Sequence, residues 1–109
     1  MYIIPLSNPA FTGNIIYINT NNNKIGSYIP TAIGKKNQQK LYEMVKYEPF
    51  NLFIRKSEKQ KDTFEIIPAT SFQKAVTDKT EHTQIKKDNL HNILNYANEA
   101  IEKYKKATK

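Results

Sequence analysis

The chain carries two imidazoles, His82 and His91. An acid–base nuclease needs a pair of proton-transfer groups beside a phosphate, with a cation to take up the developing charge. His82 with Glu81, and Arg55 or Lys56 as the cation, supplies such a set on paper. The spacing does not hold it together. His82 falls in a polar stretch, and His91 falls on the face of a helical repeat opposite Ile93 and Ala97. An imidazole without an orienting partner is more often a surface residue than a catalyst. Asp62, Glu65 and Asp78 form no spaced carboxylate set for Mg²⁺. Glu65 alternates with Phe64 and Ile66, which places it on the solvent face of a strand. The absence of cysteine excludes disulfides, thiolate metal sites and cysteine nucleophiles. These residues assign no catalytic group, no metal site and no cofactor, and they favour a non-catalytic protein.

Gly34-Lys35-Lys36 stands before a helix-forming stretch, where free N–H groups attract phosphate. It lacks the earlier glycine and the following Ser/Thr of a P-loop. The motif implies a non-specific phosphate contact or a loop glycine before a surface helix.

Charge points the same way. The 109 residues hold 17 Lys+Arg against 10 Asp+Glu, a formal +7, with a pI near 9.5. Residues 1–42 contain Lys24, Lys35, Lys36 and Lys40 and no acid; residues 43–84 balance seven bases with seven acids; residues 85–109 hold six lysines against three acids. Such a field favours an anionic partner, nucleic acid or an acidic protein face. Lys103, Lys105, Lys106 and Lys109 close the chain, where cations offset the negative end of a helix dipole, so the acid-free first 42 residues are the informative part. Arg55 is the single arginine beside sixteen lysines, a usage that suits loose phosphate contact better than bidentate base reading. Among seven tyrosines, Tyr17, Tyr28 and Tyr42 are interleaved with lysine in a way that suits base stacking, although packing in a core or rim is the commoner fate of Tyr.

The elements that must position these groups read as follows. Tyr2–Leu6 is a short strand. Asn14–Thr20 and Ile25–Ile29 flank an Asn-rich connection and form a hairpin, with Pro30 stopping its second strand. A helix covers Lys35–Tyr47, burying Leu41, Met44 and Val45. Phe50–Arg55 and Thr63–Ile67 form a second hairpin, which Pro68 ends, and Thr70 or Ser71 caps one helical turn through Val76. Residues 77–87 have no periodicity and read as an exposed loop or linker. Asp88 caps a long amphipathic helix with the stripe Leu90, Ile93, Leu94, Ala97, Ile101 and Tyr104. The fold class is α+β: an antiparallel sheet or partly closed barrel of about five strands, one domain over 1–109.

Phe50-Asn-Leu-Phe-Ile-Arg-Lys-Ser57, a polar gap and Thr63-Phe-Glu-Ile-Ile67 resemble one hairpin of the C-terminal domain of helicase-linked restriction proteins. The resemblance covers roughly 20 of the 109 residues, and Ile67-Pro68-Ala69 stands where that family continues Tyr-Leu-Gly. It implies a DNA-reading module without its own nuclease centre, with Arg55 and Lys56 at one end of the hairpin.

The expectation is a small nucleic-acid-binding protein, DNA before RNA, using Lys24, Lys35, Lys36, Lys40, Tyr42, Arg55 and Lys56. Two other classes fit the same residues: a small endoribonuclease toxin of a toxin–antitoxin pair, and a phage or mobile-element inhibitor docking on an acidic protein. No stretch approaches the ~18 apolar residues of a membrane span, and Met1–Pro5 has no leader-like basic region, so the cytoplasm is the expected location. A homodimer through an edge strand is compatible with the pattern.

Overall fold

The computed structural model describes residues 13–18, 25–57, 59–77 and 82–107. They form β1 (Ile15–Ile18), α1 (Ile25–Val45), β2 (Asn51–Lys56), β3 (Thr63–Ala69), α2 (Phe72–Thr77), β4 (Thr83–Lys86), a 3-10 helix (Lys87–Asn92) and α3 (Ile93–Ala107). The protein is α+β. The four described strands make an open sheet in the order β1-β2-β3-β4. The expected strand Tyr2–Leu6 lies outside the described residues.

The sheet is mixed, which corrects the antiparallel or barrel expectation. β1 runs parallel to β2, with Ile15 opposite Leu52 and Ile18 opposite Arg55. A parallel pair needs a crossover rather than a tight turn. Helix α1 supplies it because Ile25–Ile29, expected as the second strand of a hairpin, is helical. The physical reason is spacing: Ile29 and Ile33 stand one helical turn apart and are both buried, as are Leu41 and Val45. Burial of that stripe overrides the β-preference of isoleucine. Pro30 therefore lies inside the helix instead of stopping a strand.

Gly34 divides α1 into two arms. Its backbone (φ 83°, ψ 164°) is one that essentially only glycine adopts. The break leaves carbonyls of the first arm without helical partners. Asn37 Nδ2 donates to the Ile33 carbonyl and Gln38 Nε2 to that of Pro30, each at 3.0 Å. The helix expected from Lys35 is the second arm. At the end of α1, the Val45 carbonyl accepts from Gly13 N at 3.1 Å and Glu48 N at 2.8 Å. A Cβ at Gly13 would collide with the carbonyl oxygens of Val45 and Phe50, so the approach of β1 to this corner requires glycine.

The second hairpin forms where expected, with β2 antiparallel to β3 and Arg55 opposite Glu65. Pro68 does not end β3, which continues to Ala69. The neighbouring strand β4 reaches only Ile66, so a missing N–H at Pro68 breaks no ladder on that side. Ser71 caps α2 by accepting from Lys74 N at 3.2 Å.

Residues 77–87, expected as a loop or linker, contain β4, paired with β3 from Thr63 opposite Lys86 to Ile66 opposite Thr83. Four residues with one large apolar side chain are too short to show a period, yet Thr83 and Ile85 are buried and Ile85 is 1% exposed. Asp88 lies within the first turn of the 3-10 helix, whose start has no side-chain cap, so the expected Asp88 cap is not formed.

Helices α1 and α3 cover one face of the sheet. Leu52, Ile54, Phe64, Ile66 and Ile85 pack there against Ile29, Ile33, Leu41, Val45 and the α3 stripe of Ile93, Ala97 and Ile101. The two helices run the same way: Tyr28 lies beside Lys87 at one end, and Phe50 meets Tyr104 at the other. The opposite face carries a smaller core of Phe53, Ile67 and Ala69 against Ala75 of α2, with Ile16 and Ile18 at its edge.

Candidate nucleic-acid interface

Alternation along β2 sends consecutive residues to opposite faces of the sheet. Arg55 shares the α2 side with Phe53, and Lys56 shares the other side with Leu52 and Ile54. Arg55 Nε donates to Glu65 Oε1 at 2.8 Å, with side-chain exposures of 26% and 13%. Glu65 is thus on the face opposite Phe64 and Ile66, as alternation requires, but α2 covers only part of that face and the carboxylate is held by Arg55 rather than left to solvent. The sheet separates Arg55 from the lysines of α1. The set Lys35, Lys36, Lys40, Arg55 and Lys56 therefore does not converge on one surface.

Lys35, Lys36 and Lys40 are exposed on the second arm of α1. Lys36 and Lys40, four residues apart, share one flank; Lys35 and the exposed ring of Tyr42, seven apart, share the other. Gln39 and Glu43 form the ridge between them, joined by a 3.2 Å hydrogen bond. Lys24 lies outside the described residues.

A denser group of cations gathers at the end of the sheet where the β2–β3 turn meets the start of the 3-10 helix. Ser57 Oγ accepts from the amides of Lys59 and Gln60, at 3.2 and 3.1 Å, and fixes the turn. Asp62 takes a left-handed backbone (φ 52°), and its carbonyl accepts from Lys87 N at 2.8 Å. Lys56, Lys59, Lys61, Lys86 and Lys87 are brought together around Asp62 and Asp88. Lys87 Nζ stands 5.6 Å from the centroid of Tyr28, which stacks on Phe64 at 6.1 Å. Tyr28 therefore serves this end from a helix, not from a hairpin.

Sequence reasoning missed Lys59, Lys61, Lys86 and Lys87. Lys59 and Lys61 fall in the stretch 43–84, which a linear sum balances, and Lys86 and Lys87 fall in 85–109, whose excess is dominated by the helix-end lysines. In space, Glu48 pairs with Lys105 at 2.6 Å at the far end of the molecule, and Glu65 is held by Arg55. The Lys86-Lys87 pair directly after the alternating Thr83 and Ile85 is the signal that marks a strand end carrying charge. At the close of α3, Lys103 meets Glu99 at 3.6 Å, so this run is partly neutralised by its own acids.

His82 directly precedes β4, and His91 is exposed on the 3-10 helix, so the two imidazoles stand on different elements. Among the described residues no group of three His, Asp or Glu is placed to hold a metal ion. Tyr17 packs on the main core beside Ile15 and is not available for stacking. Burial raises its phenol pKa above the ordinary value.

The fold and surface together define an α+β protein with a lysine-rich end and a second lysine group on α1. No described helix is long and apolar enough to cross a membrane. No protein-family model matches the chain, and neither a curated protein nor a solved structure matches it.

Proposed function

We propose that the protein binds nucleic acid, DNA foremost, as a non-catalytic module that engages phosphates through lysine. One observation carries this reading. Lys35, Lys36 and Lys40 on α1, and Lys56, Lys59, Lys61, Lys86 and Lys87 at the sheet end, make no ion pair with any described residue, whereas Glu48, Glu65 and Glu99 are each paired. Among the described residues, Asp62 and Asp88 stand with the five sheet-end lysines and Glu43 with the three of α1, so each group keeps an excess of positive charge.

Lysine is a strongly hydrated point charge on a flexible stem. An array of them neutralises phosphates and releases counterions, and contributes little base reading. Tyr42, exposed on α1 on the flank of Lys35, belongs to the same proposed surface. The hairpin bearing Arg55 and Lys56 contributes from the sheet side.

The test is a salt titration of binding to duplex and single-stranded oligonucleotides, followed by fluorescence anisotropy. Expected is affinity at low salt that falls on a log–log plot with a slope of about 0.9 per neutralised phosphate on duplex and about 0.7 on single strands. No affinity for either at low salt would overturn the reading. A salt-independent affinity would overturn the phosphate mechanism.

A further inference from the structure

We infer that the α2 side of the sheet takes an unpaired nucleic-acid strand, with Arg55 on a phosphate and Phe72 against a base. The inference rests on the nucleic-acid reading and goes beyond it in naming the strand form and a second face. Arg55 spends only Nε on Glu65; its two terminal Nη groups make no hydrogen bond to a described residue. A guanidinium anchored through Nε presents a planar pair of donors that matches the oxygens of a phosphate. Glu65, less exposed than Arg55, orders that side chain before any ligand arrives, which lowers the entropy cost of binding.

The neighbours suit the rest of a nucleotide. Across the sheet Glu65 stands opposite Gln84, whose side-chain amide makes no hydrogen bond with a described residue. Lys86 follows two residues on, exposed and on the same face. On the other side of Arg55, Phe53 is buried under the edge of Phe72, with ring centroids 6.3 Å apart. The Phe72 ring itself is 56% exposed. Ala75 of α2 covers Phe53, Ile67 and Ala69, while the row of Arg55, Glu65 and Gln84 lies beyond that cluster.

An exposed ring over Phe53, two residues along β2 from an anchored guanidinium on the same face, is complementary to a base that has left its stack and to a phosphate of the same strand. A duplex keeps its bases stacked and offers only the phosphate. Lys86 belongs both to this row and to the lysine-rich end, so a strand leaving Arg55 runs onto the proposed phosphate surface.

Arg55→Lys and Phe72→Ala test the inference, because the first keeps the charge opposite Glu65 and the second truncates an exposed ring. Thermal melts check that both variants remain folded, and anisotropy compares a single strand with its duplex at one low salt concentration. Expected is a loss of about tenfold or more on the single strand for Phe72→Ala with duplex affinity unchanged, and a smaller loss for Arg55→Lys on both substrates, since both carry the phosphate. Unchanged single-strand affinity in both folded variants, or equal losses on both substrates for Phe72→Ala, would overturn this inference and leave the lysine reading intact. A wild-type protein that binds neither substrate would overturn both.

Discussion

Arg55 and Glu65 face each other across the β2–β3 ladder and are joined at 2.8 Å, on a side of the sheet that α2 partly covers. Directly opposed unlike charges stabilise a strand pair, and partial burial raises the consequence of losing one of them. Arg55→Ala strands a half-buried carboxylate, and Glu65→Ala strands a guanidinium that has no other partner among the described residues. Each single variant is expected to lose about 1–3 kcal/mol in urea unfolding. The double variant should lose less than the sum of the singles, because the second removal no longer orphans a charge. Strict additivity would show that the pair contributes nothing as a pair.

Strand β4 makes a sharper test of the fold. Ile85 is 1% exposed in the main core, so Ile85→Ala is expected to cost about 2–5 kcal/mol. A linker residue at this position would tolerate the change without effect, and urea unfolding separates the two outcomes.

The same residue shows what was legible in the sequence. Long signals were: the stripe from Leu90 to Tyr104 packs on the main core, Leu90 from the 3-10 helix and the rest from α3, and the second hairpin forms with β3 running two residues past its expected end. Short or conflicting signals were not. Ile85 alone gives no period in a four-residue strand. Ile25, Ile29 and Ile33 carry a helical spacing, but β-branching, an Asn-rich connection and Pro30 all argue for a hairpin. Only the burial of Ile29 and Ile33 against the sheet decides it. For the candidate surface, α1 lysines were visible as an acid-free segment. The lysines of the sheet end were hidden because chain order divides them between the balanced stretch 43–84 and the stretch 85–109, and only the β3–β4 pairing brings them to one end.

Gly34 and Gly13 are required for different reasons, and their variants should differ in size. Gly34→Ala meets open space and suffers only from its backbone angles, an expected cost of about 1–3 kcal/mol. Gly13→Ala drives a methyl into the carbonyls of Val45 and Phe50 and should cost more, since the corner must move apart. Thermal denaturation of both variants checks the order; a Gly13→Ala protein as stable as the wild type would contradict the close approach.

Tyr17 sets an alkaline limit. Burial raises its pKa above the value of ~10 that the unfolded chain retains. Below that value the phenol is protonated in both states, and its contribution to stability is complete. As pH rises past ~10 toward the folded value, the unfolded chain loses its proton first, so stability falls. Tyr17→Phe is expected to flatten this decline and to remove one late-ionising phenol from the ultraviolet titration. An unchanged alkaline slope would place Tyr17 outside the core.

Location of charge, rather than its total, is the claim behind the proposed function, and variants of equal net charge separate the two. Each Lys→Glu change shifts the charge by two, so any double variant lowers the formal +7 to +3. Lys35→Glu with Lys36→Glu alters α1, Lys59→Glu with Lys61→Glu alters the fixed β2–β3 turn, and Lys103→Glu with Lys106→Glu alters the end of α3. The first two pairs should weaken duplex binding and flatten the log–log salt slope by up to about 0.9 for each phosphate no longer neutralised. The α3 pair should retain most of the wild-type affinity and slope, since Lys103 already meets Glu99 and that helix end lies away from the sheet end carrying Lys59 and Lys61. Equal losses in all three would mean that bulk charge alone draws the protein to polyanions, and the assignment of a surface would fail.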